Sequence, residues 1–164
     1  DRRITTEVAR LFSYLETVKA PTVTFKNLLV GQFGLLENLI AKIDREIAFA
    51  KAGKKAKIVL KMNSLQDEEM VAKLYEASNA GVQIDLIIRG ICSLVPGKKG
   101  WSENINAISI VDRFLEHARI FLFHNDGAED IYLSSADWMS RNLRRRIETA
   151  FPIYDENIIG FSEC

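Results

Sequence analysis

The sequence predicts an α/β fold in which helices flank a mixed sheet, parallel in its middle and antiparallel later. Three observations carry that prediction. Residues 57–62, 67–80 and 82–88 read strand, helix, strand, and the helix of about 14 residues between the strands is the crossover that parallel neighbours need. Residues 120–123 and 131–133 flank Asn125-Asp126-Gly127, a turn signal that joins antiparallel strands. The chain has 164 residues, 48% of them hydrophobic and 27% charged, enough to bury a core without a disulfide or metal staple. That composition excludes disorder, a collagen-like fibre and a disulfide scaffold.

The elements follow in order. Ile4, Val8, Leu11, Phe12 and Leu15 recur at helical spacing, so the chain opens on an amphipathic helix that Ala20-Pro21 stops. Residues 22–30 hold β-formers and end on Leu28-Leu29-Val30, a strand. Leu36, Leu39, Ile40, Ile43 and Ile47 mark a helix from Leu35 to about Ala52, closed by Gly53. After the 57–62 strand, the helix over 67–80 carries acids in its first turn and Gly81 just past its end. A Gly- and Lys-rich loop, Pro96-Gly97-Lys98-Lys99-Gly100, follows the 82–88 strand. Residues 110–116 read as a helical turn or short helix, residues 120–133 as the hairpin, and residues 144–153 as a last strand. There is no internal repeat and no linker to a second domain within the chain.

Lys+Arg equals Asp+Glu at 22 each, so no global field draws the molecule to nucleic acid or to an acidic membrane, and any anion site must be a local cluster. Cys92 and Cys164 match no zinc or redox spacing, which predicts ordinary thiols in a reduced intracellular protein. No run of about 18 apolar residues and no signal-peptide pattern is present. Two histidines, His117 and His124, are too few for a His-rich metal site. A chain that begins at Asp1 rather than a methionine is expected to be a piece of something longer.

Ligands of open α/β sheets collect beyond the carboxyl ends of the strands. Those positions hold Lys61, Asn63 and Ser64; Arg89-Gly90; Ser134, Ser135 and Asp137; and His117 with Arg119 at the entry to the hairpin. These groups are cations or hydrogen-bond donors, suited to phosphate, and Gly90 lets backbone or ligand approach closely. The alternative is loop solvation and capping, with Asn63 or Ser64 capping the helix that starts near Asp67. In an extended last strand Arg144, Arg146 and Glu148 share one face. They read either as an anion site, with Glu148 orienting a histidine, or as a charged edge that discourages aggregation. His117 is the candidate for proton transfer, while His124 reads as structural or exposed in the turn. Trp101 and Trp138 read as core, with base stacking as the alternative.

Four strings then carry a resemblance: Lys61-Met62-Asn63-Ser64-Leu65, Ile87-Ile88-Arg89-Gly90-Ile91-Cys92, Ser109-Ile110-Val111-Asp112-Arg113-Phe114-Leu115-Glu116-His117, and Leu133-Ser134-Ser135-Ala136-Asp137-Trp138-Met139-Ser140-Arg141-Asn142. In order and spacing they resemble the C-terminal catalytic region of bacterial polyphosphate kinases, from about Lys26 to Ile153. His117-Ala118-Arg119 followed by Ser134-Ser135 is similar to the histidine-x-lysine and glycine-serine elements of the phospholipase D superfamily, with Arg in place of Lys.

The resemblance implies a phospholipase D/nuclease-like fold, with residues 1–20 a helix from a preceding domain or linker and residues 21–164 the second C-terminal catalytic domain. It implies reversible transfer of the terminal phosphate of ATP to polyphosphate through a phosphohistidine, with Mg2+ as cofactor. It places ATP or phosphate binding on Arg89, His117 and Arg146, with Lys61 and Asn63 adding donors at the mouth and Arg119 and Ser135 completing the set. It makes His117 and Glu148 the catalytic pair and names no metal ligand. The phosphorylated histidine of that pattern should lie upstream, and none precedes His117. The chain is therefore expected to supply the ATP/phosphate half-site and to be inactive alone. The missing N-terminal and first catalytic domains would be its partners, along with ATP or ADP and polyphosphate, in a homo-oligomer without nucleic acid. A cytoplasmic location is expected, with peripheral membrane attachment left open. The competing readings are a dimeric phospholipase D-like phosphodiesterase and a non-catalytic polyphosphate-binding module.

Overall fold

A computed structural model describes residues 1–17 and 24–155. The Ala20-Pro21 helix stop, the first residues of the 22–30 strand and Cys164 lie outside them. The elements are α1 (Arg2–Thr17), β1 (Leu29–Val30), α2 (Leu35–Lys51), β2 (Lys57–Met62), α3 (Glu68–Asn79), β3 (Gln83–Ile88), β4 (Ile105–Ile108), β5 (Ile120–Phe123), a 3-10 turn (Asn125–Gly127), β6 (Asp130–Ser134), α4 (Ser140–Arg144) and β7 (Thr149–Pro152). Seven strands form one mixed sheet in the order β1-β7-β6-β5-β2-β3-β4. Strands β2, β3 and β4 are parallel; β5, β6, β7 and β1 join antiparallel. The expected α/β class and its parallel-then-antiparallel division are both present.

Alternation along β2 buries Ile58, Leu60 and Met62, and along β3 Ile84, Leu86 and Ile88, on the face covered by α2 and α3. From α2, Leu36, Leu39, Ile43 and Ile47 meet that face, and Met70 and Leu74 do so from α3. Trp138 is fully buried with its ring centroid 5.5 Å from that of Phe121, so it is core, whereas Trp101 is 58% exposed and packs edge-on against Tyr75. Among the described residues no helix is long and apolar enough to cross a membrane.

Four expectations are corrected, and one strand was not foreseen. The strand over 22–30 shrinks to Leu29–Val30, because the N–H groups of Lys26, Asn27 and Leu28 donate to the buried carboxylate of Glu7 at 2.7–3.3 Å instead of to a ladder. Residues 110–116 hold no helix; the segment is irregular and exposes Val111, Phe114 and Leu115. The unforeseen strand β4 pairs with β3 at the sheet edge. The helix cap is Asp67, whose carboxylate accepts the Met70 N–H at 3.2 Å, not Asn63 or Ser64. The last strand starts at Thr149, not Arg144: Arg144 ends helix α4 and points to Asp67 and Glu69, so it does not share a face with Arg146 and Glu148.

Candidate phosphate site at one end of the sheet

Strand order brings distant stretches of chain to one edge. The end of β2 leads to Asn63 and Ser64, and the end of β3 to Arg89. Because β5 runs antiparallel to β2, its start, with His117 and Arg119 just before it, lies at that same edge. The end of β6 and the start of β7 add Ser135, Asp137, Arg146 and Glu148. Together with Ile91, Met139, Arg141 and Asn142 these residues line an open cavity of about 370 Å³.

The cavity gathers four arginines (Arg89, Arg119, Arg141, Arg146) against two carboxylates (Asp137, Glu148), with His117 at the rim. A neutral chain thus gathers an excess of positive charge in this cavity. A larger cleft of about 460 Å³ on the α3 side is lined by Asp67, Glu68 and Glu69, and its one cation, Arg144, is already paired with Asp67 and Glu69. It has the wrong sign for an anion.

Two carboxylates organise the cavity. Asp137 is 8% exposed and accepts from the Asn63 N–H at 2.8 Å, the Ser64 N–H at 3.2 Å and Arg119 at 3.2 and 3.0 Å. Burial works to raise its pKa, but the Arg119 hydrogen bond, the Asn63 N–H, the Arg119 charge and the Ser64 N–H together hold it below the ordinary value. Glu148 accepts the Ser135 hydroxyl at 2.5 Å and the Asn142 amide at 2.7 Å, with Arg146 at 3.9 Å. Its contacts within the described residues do not include His117.

Of the residues singled out from the sequence, Arg89, Asn63, His117, Arg119, Ser135, Arg146 and Glu148 line this cavity. Lys61 does not. Its ammonium is bound to Glu116 at 2.9 Å and to the Ala118 carbonyl at 3.4 Å, on either side of His117. The close approach at Gly90 is made by the chain itself, whose Gly90 N–H donates to the Asn63 carbonyl at 2.8 Å. His124 sits at the far end of β5, its N–H on the Lys57 carbonyl, so His117 is the one histidine at the cavity. Sequence reasoning missed Arg141 and Asn142, and had Asp137 only as one of several strand-end groups. The signal for all three was the Leu133–Asn142 string, read there as a whole and not residue by residue.

The Mg2+ that the resemblance implies finds no protein cage here. Both cavity carboxylates are already committed to Arg119, Ser135 and Asn142, and among the described residues no group of three or more metal-ligating side chains converges. Such a site does not fit a protein-held divalent ion.

Comparison with known proteins points to one family. Residues 28–160 match the family model described as polyphosphate kinase C-terminal domain 2. A polyphosphate kinase of Vibrio parahaemolyticus is 52% identical over 158 residues, covering 96% of this chain and 23% of that protein. One of Burkholderia ambifaria is 51% identical over 158 residues, again 96% of this chain and 23% of that protein. The crystal structure of polyphosphate kinase from Porphyromonas gingivalis superposes with a TM-score of 0.93 at 47% identity, covering 98% of this chain and 24% of that one. Two further structures share the fold alone. NucT from Helicobacter pylori has a TM-score of 0.55 at 12% identity, covering 84% of this chain and 91% of that one. Nuc from Salmonella typhimurium, a phospholipase D family member, has 0.54 at 16%, covering 83% and 89%. This chain spans about a quarter of the length of the polyphosphate kinases it matches. The family match over most of the sequence, with the high structural likeness to a solved polyphosphate kinase, leads to one assignment: the chain belongs to the polyphosphate kinase family, as its C-terminal domain 2.

Proposed function

We propose that this chain supplies the nucleotide- and phosphate-binding half of a phosphotransfer site that moves the terminal phosphate of ATP reversibly onto polyphosphate. The observation that carries the reading is the excess of arginine over carboxylate in one cavity beside one histidine. Phosphoryl transfer asks little covalent chemistry of a protein; it asks for positioning and for positive charge around the equatorial oxygens. Arginine supplies that charge without deprotonating and grips two oxygens at once. In the transfer, the bond between the β,γ-bridging oxygen and the γ-phosphorus breaks, ADP leaves, and a nitrogen–phosphorus bond forms on a histidine. A terminal polyphosphate oxygen then attacks, and that bond breaks in turn. The accepting histidine belongs to a preceding domain, and α1 is the link towards it. His117 contacts the nucleotide phosphates and, as an imidazolium, gives its proton to the bridging oxygen that leaves with ADP.

The test is incubation of the purified chain with radiolabelled ATP and magnesium, beside a titration with ADP. Saturable ADP binding with no stable phosphorylation of the chain is expected. Label on this chain, or no binding, overturns the half-site. Hydrolysis of bis-p-nitrophenyl phosphate that is lost in His117→Ala would replace it with the phosphodiesterase reading.

A further inference from the structure

The four cavity arginines are not equivalent, and the difference lies in where their N–H groups already point. A guanidinium has five. Arg119 directs Nε to Asp137 Oδ1 at 3.2 Å and Nη2 to Asp137 Oδ2 at 3.0 Å. Its Nη1 donates to the His117 carbonyl at 3.2 Å and lies 3.3 Å from His117 Nδ1, while Nη2 lies 3.4 Å from Nε2. Whichever tautomer the imidazole holds, at most one N–H of Arg119 lacks an acceptor. Its charge is matched as well: Asp137 and Arg119 are shielded together, at 11% and 12% side-chain exposure. An arginine so committed is poorly placed to bind an incoming phosphate.

Arg141 is the opposite case. Among the described residues its guanidinium makes one polar contact, a weak approach of Nη2 to the Met139 sulfur at 4.0 Å. Among the described residues neither Arg141 nor Arg89 forms an ion pair, and both line the cavity. Arg146 has Glu148 at 3.9 Å to share its charge. The two uncompensated guanidinia are therefore Arg89, beyond β3, and Arg141, on α4, reaching the cavity from separate elements.

We propose that Arg141 and Arg89 form the clamp that grips neighbouring phosphates of a linear polyphosphate anion, and that Arg119 is a positioning residue that holds His117 while Asp137 holds it. This rests on the phosphate-site reading above and assigns the work within it. Two unpaired forks on separate elements favour an anion that offers phosphates in series, such as tripolyphosphate, over one orthophosphate.

The experiment is a calorimetric titration of inorganic tripolyphosphate into the full 164-residue chain at several salt concentrations, with orthophosphate as the comparison. Arg141→Gln is expected to weaken tripolyphosphate binding about tenfold and to flatten the dependence of log K on log salt by about one contact. Arg144→Gln, outside the cavity and paired with Asp67 and Glu69, leaves both unchanged. Arg119→Lys, which keeps the charge but lacks the fork, weakens binding less than Arg141→Gln. It also changes the tautomer balance of His117, read from its imidazole 15N shifts, with the amide spectrum still that of a folded chain. The double variant Arg119→Gln/Asp137→Asn removes the pair without stranding a charge and moves those shifts in the same way. Tripolyphosphate binding that survives Arg141→Gln undiminished overturns the clamp. Unchanged His117 shifts in Arg119→Lys overturn the positioning role. Failure of the wild-type chain to bind tripolyphosphate overturns the clamp and the phosphate site beneath it.

Discussion

Gly31 is held against the backbone of Arg146 so closely that a side chain cannot enter: a Cβ on Gly31 would stand 2.3 Å from the Arg146 carbonyl oxygen and 3.0 Å from the Glu148 nitrogen. The contact is reinforced, since the Gly31 N–H donates to the Glu148 carbonyl at 2.7 Å. One residue before it, Val30 pairs with Thr149. The two-residue strand β1 thus sets the height of the segment that carries Arg146 and Glu148 into the cavity.

Gly31→Ala should accordingly act on both stability and binding. The methyl group meets backbone, which cannot rotate away, so the two strands must part. Overpacking of this kind costs about 1–3 kcal/mol, seen as a lower urea midpoint. Because Arg146 moves with the displaced segment, tripolyphosphate affinity falls too. A variant with wild-type midpoint and affinity would refute the tight approach.

The parallel half of this fold is readable from local pattern because β2, α3 and β3 each carry a strong period and a clear end. Strand β4 escaped because only Ile105 of its four residues is buried, leaving no alternation to see. The segment before β7 misled because Arg144, Arg146 and Glu148 alternate with other residues as a strand would, yet Arg144 completes a helix. The cavity's membership was partly readable, since strand ends are known collecting points. That Arg119 meets Asp137, and that among the described residues Arg141 has no ion pair, depends on how the β5–β6 hairpin docks its β5 strand against β2, which no local pattern encodes.

Asp137 makes stability pH-dependent. Burial opposes its charge, but the Arg119 hydrogen bond and the Asn63 and Ser64 N–H groups outweigh this and lower its pKa in the fold. In the unfolded chain an aspartate titrates at about 3.9. The stabilisation is therefore complete above that value and is lost as pH falls through the lower, folded pKa. Near neutral pH, Asp137→Asn should lower unfolding free energy by about 2–3 kcal/mol, the worth of hydrogen bonds to a charged group. The gap to wild type should close in strong acid. A gap independent of pH would show that the carboxylate's charge is not what stabilises.

Glu7 is another buried carboxylate, 3% exposed, and it ties α1 to the rest of the chain. Burial again opposes the charge, and the N–H groups of Leu28, Lys26 and Asn27 with the Asn27 amide lower the pKa overall. Glu7→Gln replaces one accepting oxygen by an amide that faces those donors. A loss of about 1–3 kcal/mol is expected, with faster hydrogen exchange at residues 26–28, where Leu28 packs with Leu11 and Val30. Unchanged exchange there would mean that apolar packing alone anchors α1.

Glu148 gives the sharpest electrostatic prediction, because its two possible roles differ in sign. Its carboxylate holds Ser135 and Asn142 in place, and at 3.9 Å it also offsets Arg146. Glu148→Gln keeps an oxygen for Ser135 and the side-chain shape, and it removes a negative charge from a cavity proposed to take anions. A unit charge some 6 Å from a phosphate, at an effective dielectric constant of about 40, contributes roughly 1.4 kcal/mol. Tripolyphosphate should therefore bind up to about tenfold more tightly to Glu148→Gln, and the gain should shrink as salt rises. Glu148→Ala also frees Ser135 and Asn142, so it should gain less. If Glu148→Gln instead binds more weakly, ordering of Ser135 and Asn142 outweighs the charge, and Glu148 belongs with the residues that shape the phosphate site.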